Sequence, residues 1–248
     1  MSTYAQPKDV GDPAECVFYH VADLPGHGTT SGQWDLRATA DAYLGNVDFA
    51  GKRVLELGTA SGFLCFHMEK KGAEVVAYDL SPEDQWDLVL SFDEDPEAAI
   101  ELNRNCIRRL NNSFWFSHKK MGSRARLCLG SIYNIPEDLG QFDIVTFASI
   151  LLHLRDPLGA IQGALKFVRD KIIIVELVPD FQGPFAKFMP SPERRTPHGG
   201  WLWWLLSPDL LVSFLRLVGF RNIEVTRSSH MCARENRMRE LYTIVASR

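Results

Sequence analysis

The chain has 248 residues, 46% of them hydrophobic and 23% charged, the proportions of a water-soluble globular protein able to build its own core. A formal net charge of −4 argues against any global pull toward nucleic acid or an anionic membrane. No apolar run reaches the ~18–20 residues of a membrane helix. The opening MSTYAQPKDVGDP lacks the basic and apolar regions of a secretion signal. The five cysteines, Cys16, Cys65, Cys106, Cys128 and Cys232, form no C-x-x-C pair. That spacing predicts a reducing, cytoplasmic setting and neither a disulfide framework nor a metal site.

In chain order, residues 1–32 hold Pro7, Gly11, Pro13, Pro25 and Gly26 with little periodicity. They read as an irregular arm preceding one domain over 33–248. Residues 34–44 place Leu36, Ala40, Tyr43 and Leu44 on one helical face. RVLEL (53–57) reads as a strand, GTASG (58–62) as a glycine turn, and FLCFHMEKK (63–71) as a helix stopped by Gly72. EVVAYDL (74–80) is the next strand, which completes a βαβ unit with parallel pairing.

The alternation continues with a helix over 96–111, strands at 125–129 and 142–149, and a helix over 157–168. A strand at 171–177, a helix over 208–218 and strands at 222–228 and 240–247 follow, the last two joined by a polar segment. Several strands are continuous apolar runs, as a sheet covered on both faces requires. The prediction is a doubly wound α/β fold with a seven-stranded, mostly parallel sheet and an N-terminal lid segment. Two charge blocks stand out: residues 83–101 hold eight acids and no Lys or Arg, and residues 104–126 hold seven Lys or Arg and no acid. Each reads as a solvated surface, or the second as a receiver for an anionic acceptor.

Open α/β sheets bind ligands beyond the carboxyl ends of their strands. The first strand ends in Glu56-Leu57-Gly58-Thr59-Ala60-Ser61-Gly62, where glycines permit a sharp turn and close backbone approach. Asp79 closes the second strand, 17 residues past Gly62, where an acid can accept two ribose hydroxyls. A nicotinamide fingerprint needs glycines at the first, third and sixth positions. Here those are Gly58, Ala60 and Phe63, and Phe63 crowds a pyrophosphate. An acid before the turn suits a cofactor with a cationic amino acid end, whose ammonium Glu56 can hold.

These pieces, with Ser131-Ile132 after the third strand and Ala148-Ser149 ending the fourth, resemble the class I S-adenosylmethionine-dependent methyltransferase family over about residues 33–248. The resemblance implies S-adenosyl-L-methionine as cofactor. It is gripped by Glu56, Gly58, Thr59, Ala60 and Gly62 in the first motif and by Asp79 and Leu80 in the second. Ser131, Ile132, Ala148 and Trp34 complete the set. Ala60 replaces the usual central glycine, and Ser131 the usual acid of the third motif. A narrower likeness is to the bacterial wobble-uridine tRNA carboxymethyltransferases. It rests on Gln33-Trp34-Asp35, LLHLRDP (151–157), and Arg194-Arg195 followed by Trp203 to Pro208. Leu152-His153 stands where that branch has Tyr-His.

Methyl transfer mainly needs an attacking atom aligned with the methyl group, and a general base only when the attacker carries a high-pKa proton. His153, just past the fourth strand, is the candidate base, or else a structural partner of Asp156. His20 and His198 read as loop or lid histidines, and His230 as a possible visitor from the last hairpin. Tyr19, His20, Arg194, Arg195 and Trp204 form the candidate acceptor site, with the Trp201–Trp204 cluster as a stacking wall or as core. The acceptor reads as a small, planar or anionic molecule. Alternatives are RNA modification through 104–126 and a non-catalytic cofactor-binding scaffold.

Overall fold

A computed structural model describes residues 3–84, 87–88, 95–190 and 202–248. Within the N-terminal arm, β1 (Asp23–Leu24) and β2 (Gly28–Thr29) form a small hairpin. Then come β3 (Trp34–Asp35), α1 (Ala40–Tyr43), β4 (Arg53–Leu57), α2 (Phe63–Lys70), β5 (Glu74–Asp79), α3 (Pro96–Met121) and β6 (Arg126–Leu129). The second half holds β7 (Phe142–Ala148), α4 (Pro157–Ala164), β8 (Val168–Leu177), β9 (Ala186–Phe188), β10 (Trp204–Leu206), α5 (Pro208–Leu217), β11 (Asn222–Cys232) and β12 (Arg237–Ser247).

The main sheet has the order β3-β11-β12-β8-β7-β4-β5-β6. β6, β5, β4, β7 and β8 run parallel, and β12 pairs antiparallel with both β8 and β11. From β4 the chain steps outward to β5 and β6, then returns to the other side of β4 as β7. The strand order reverses between β4 and β7, so their carboxyl ends open the crevice where such sheets take ligands. Both faces are covered. Val54, Val75, Ala77 and Ile173 pack with Leu64, Phe66 and Phe114. Leu55, Val76, Val145 and Ile172 pack with Ile161, Leu211 and Leu215.

The seven expected strands are present, and an eighth joins them. Residues 34–44 do not form the expected helix: Trp34 and Asp35 pair with Cys232 and Met231, and only Ala40–Tyr43 is helical. The Asp35 carboxylate takes both the backbone N–H and the guanidinium of Arg37, which bends the chain off the strand before a helix can start. The helix expected over 96–111 runs on to Met121, because Phe114, Trp115 and Phe116 all find buried places. Gly122, in the left-handed conformation, ends it. The helix from Pro157 stops early at Ala164 and tightens into a 3₁₀ turn over Leu165–Phe167. The last two strands extend each other to Cys232 and Arg237, leaving four residues where a polar segment was expected.

The arm lies against α3. Val17 N–H donates to Ser113 Oγ, Arg109 donates to the carbonyls of Ala14 and Cys16, and Lys8 donates to Asn112 Oδ1. Four of the five cysteines are buried and all five are free thiols. No helix among the described residues is long and apolar enough to cross a membrane.

Candidate functional site

The loop joining β4 to α2 is built on three left-handed residues, Gly58 (φ 83°), Ala60 (φ 51°) and Gly62 (φ 85°). Gly58 and Thr59 both donate to the Tyr78 carbonyl, at 2.9 and 3.2 Å, tying the loop to the neighbouring strand. A methyl group added to Gly62 would sit 2.5 Å from the Phe66 ring, so only glycine fits. Ala60 carries its side chain in a conformation costing ~1–2 kcal/mol, which accounts for the glycine usual at this position.

Two carboxyls bracket this loop. Asp79, ending β5, accepts the N–H of Ala60 at 2.6 Å and of Leu80 at 2.8 Å. Glu56, the penultimate residue of β4, is 1% exposed and accepts the Thr59 hydroxyl at 2.5 Å. A third, Glu176 near the end of β8, is 2% exposed and accepts the Leu151 N–H at 3.0 Å. It thereby shapes the exit of β7. Among the described residues none of the three forms an ion pair. Burial pushes Glu56 and Glu176 up to about 8 and Asp79 up to about 6, the response of carboxyls removed from water without a neutralising cation.

Hydroxyls and rings line the same end of the sheet. The Tyr43 hydroxyl meets Ser149 Oγ at 2.8 Å, and Ser149, just past Ala148, has φ 54°. Tyr19 shares a side-chain hydrogen bond with Trp34, and burial raises its phenol to about 12. Ser61 Oγ accepts the backbone N–H of Tyr19 at 3.3 Å and of His20 at 3.4 Å. The arm is therefore fastened to the glycine loop itself. His20, expected in an open loop, is buried, because Gly32 lies against its backbone and Phe63 against its ring.

On the β5–β6 side, Ile132 is buried and Ser131 Oγ takes the Tyr133 N–H. The Ser131 carbonyl accepts the Tyr78 hydroxyl at 3.0 Å. On the β7–β8 side, His153 ends a 3₁₀ turn over Leu151–His153, next to the Glu176 contact. Asp156 caps α4 through the Gly159 N–H. Trp203 is buried, and its Nε1–H donates to the Asp87 carbonyl at 2.6 Å. Trp204 donates to the Arg155 carbonyl at 3.1 Å and lies 5.5 Å from the Phe188 ring, itself 56% exposed. Arg194, Arg195, His198 and Trp201 lie outside the described residues.

His230 is not a visitor to this crevice. It is fully buried between Ser228 Oγ (2.7 Å) and Thr39 Oγ1 (2.8 Å), since β11 turns its side chain under α1. The 104–126 basic block, on α3 and the start of β6, is partly engaged. Arg104 pairs with Glu101, Lys119 with Asp9 and Arg126 with Glu74, while Arg109 holds the arm. Sequence reasoning missed Glu176, Tyr43 and Ser61. A usable signal existed for Glu176 alone, an acid closing the apolar run IIIV at a strand's carboxyl end.

Residues 35–225 match the methyltransferase domain family, and the chain belongs to that family. It is similar to a tRNA U34 carboxymethyltransferase of Idiomarina loihiensis, with 26% identity over 180 residues, 72% of this chain and 48% of that protein. It is also similar to a ubiquinone biosynthesis O-methyltransferase of Pseudomonas fluorescens, with 27% identity over 123 residues, 50% of this chain and 42% of that one. The chain thus spans about half the length of the curated relatives it matches. In fold it is similar to the 1,6-didemethyltoxoflavin-N1-methyltransferase of Burkholderia thailandensis, solved with 1,6-didemethyltoxoflavin and S-adenosylhomocysteine. The TM-score is 0.54 at 17% identity, covering 85% of this chain and 77% of that one.

Proposed function

We propose that the chain is an S-adenosylmethionine-dependent methyltransferase acting on a small, planar or anionic acceptor. The carrying observation is the pair of carboxyls, Glu56 and Asp79, set on adjacent parallel strands around a left-handed loop, with no cationic side chain among the described residues in an ion pair with them. Such a pair suits a ligand that brings positive charge and hydroxyl donors. A pyrophosphate brings neither positive charge nor hydroxyl donors to that pair, and Phe63 crowds it. The residues present therefore fit the cofactor.

In this reading Glu56 holds the ammonium, Asp79 the ribose hydroxyls, and Leu80 and Ile132 the faces of the adenine. Bound there, the cofactor supplies a methyl group already made electrophilic by its sulfonium. What remains for the protein is positioning, worth ~7–11 kcal/mol in favourable cases. Ala148 and Ser149 keep the wall beside the reacting centre small, and Tyr43 fixes the serine rotamer. Glu176 sets the path of Leu151 and Leu152, and so the placement of His153. His153 takes the acceptor's proton where it has one to lose, a contribution of ~10²–10⁴ in rate. Tyr19 borders the acceptor from the arm side. Trp204 with Phe188 offers a stacking surface for a flat ring, and Arg194 and Arg195 would receive an anionic group. The net charge of −4 weighs against an RNA acceptor.

Titration calorimetry with S-adenosylhomocysteine tests the cofactor site. Micromolar binding is expected, and absence of both heat and thermal shift overturns the reading. Incubation with labelled S-adenosylmethionine and a metabolite extract, followed by mass spectrometry for a gain of one methyl, then identifies the acceptor. With that acceptor, His153→Ala is expected to lower kcat at least 100-fold while leaving S-adenosylhomocysteine affinity unchanged.

A further inference from the structure

One side chain at the glycine loop has an unmet hydrogen-bonding need. His20 is 6% exposed, and its Nδ1 has no hydrogen-bond partner. A buried polar atom left unpaired costs stability unless a ligand completes it. The ring stands 5.5 Å from Phe63, the first residue of α2, and the His20 backbone is fastened to Ser61 Oγ. That helix begins at Gly62 with no side-chain cap and no acid in its first turn. Its leading N–H groups and positive dipole end thus have no capping side chain. Glu56, an acceptor, lies at the other end of the same loop. Donors on one side and a carboxyl on the other form the complement of a zwitterion.

Resting on the methyltransferase reading above, we propose that His20 Nδ1–H and the first turn of α2 together receive the carboxylate of the cofactor's amino acid end. The arm then reads the part of the cofactor that a simple nucleoside lacks. Burial holds the imidazole at about 3, hence neutral, and a neutral ring protonated on Nδ1 is a donor. Closure of the arm and recognition of the amino acid end are then one event, because the same two residues, Tyr19 and His20, are pinned to Ser61.

The test compares two ligands by calorimetry: S-adenosylhomocysteine, and 5′-methylthioadenosine, which keeps the nucleoside and thioether but has no amino acid end. His20→Ala is expected to weaken S-adenosylhomocysteine roughly 10- to 100-fold and methylthioadenosine less than about threefold. His20→Asn, which can still donate, should recover part of the loss. In the wild type, S-adenosylhomocysteine but not methylthioadenosine should protect the Lys8 bond of the arm from trypsin. Equal losses for both ligands in a variant that melts like the wild type, or no loss for S-adenosylhomocysteine, overturn the assignment. Should neither ligand bind the wild type, the cofactor reading itself fails and takes this one with it.

Discussion

Replacing Asp79 with Asn separates the two duties of one carboxylate. Its two oxygens accept the N–H groups of Ala60 and Leu80, at 2.6 and 2.8 Å, which leaves about one lone pair on each for a ribose hydroxyl. An amide of the same shape offers one acceptor and turns a second donor toward an existing donor. A charge-assisted bond contributes ~1.5–3 kcal/mol. Burial already lifts Asp79 to about 6, so part of that gain is offset by the desolvation the change removes. The net effect on folding is about 1–2 kcal/mol, or roughly 2–8 °C in melting temperature for a chain of this size. For the ligand, both hydroxyl contacts weaken, by about 2–4 kcal/mol together. At ~1.4 kcal/mol per decade this is roughly a 30- to 1,000-fold loss of S-adenosylhomocysteine affinity. Thermal melts and calorimetry on Asp79→Asn read the two effects separately. Affinity within threefold of the wild type would refute the ribose assignment, and an unchanged melt would refute the loop-bracing one.

Other outcomes follow from the same geometry. Glu56 and Glu176 sit near 8 against an ordinary 4.5, so folding favours their protonated forms. Their stabilising effect is complete below about pH 4.5 and is lost as pH rises through about 8. The ligand-free melting temperature should fall across that window, and the stabilising shift from S-adenosylhomocysteine should grow as its ammonium meets an ionised Glu56. A flat profile would contradict the burial of these acids. Gly62→Ala would press a methyl group to 2.5 Å from Phe66 and 2.9 Å from Phe114 at φ 85°. We expect a loss of about 2–4 kcal/mol, read by urea unfolding, and an unaltered midpoint would show the loop to be built otherwise. His230→Ala strands the hydroxyls of Ser228 and Thr39 and should cost about 2–4 kcal/mol. It should leave S-adenosylhomocysteine affinity within twofold, whereas a tenfold loss would move His230 back into the crevice.

The elements legible in the sequence were those whose evidence is local. RVLEL, EVVAYDL and KIIIVEL carry their own periodicity, and Gly58 and Gly62 mark a turn that no other residue type enters comfortably. What escaped depended on distant partners. Trp34 looked helical because Leu36, Ala40, Tyr43 and Leu44 share a helical spacing. Pairing with Cys232, at the far end of the chain, overrode it. The run Phe114-Trp115-Phe116 has no amphipathic pattern. It is helical because α2, the sheet and the arm surround the helix on several sides. The role of Tyr43 rests on one contact, to Ser149, and that of Ser61 on two, to the arm's backbone at Tyr19 and His20, and no spacing rule encodes them.

The arm's anchorage at both margins of the sheet bears on how the protein is made. Ala5 donates to Leu127 on β6 at one margin, and Trp34 with Asp35 pairs with β11 at the other. Within this chain they are made before the strands they dock on: Trp34 must wait for Cys232, about 200 residues later. Contacts so far apart in sequence form slowly. Throughout that wait the nascent chain shows Trp34 and the bare edge of β8 that β12 and β11 later cover. A stalled or truncated product ending before β11 would keep them exposed permanently and should be recognised by holdase chaperones or precipitate. A chain that includes β11 and β12 pairs the β8 edge and seats Trp34 and Asp35 on β11.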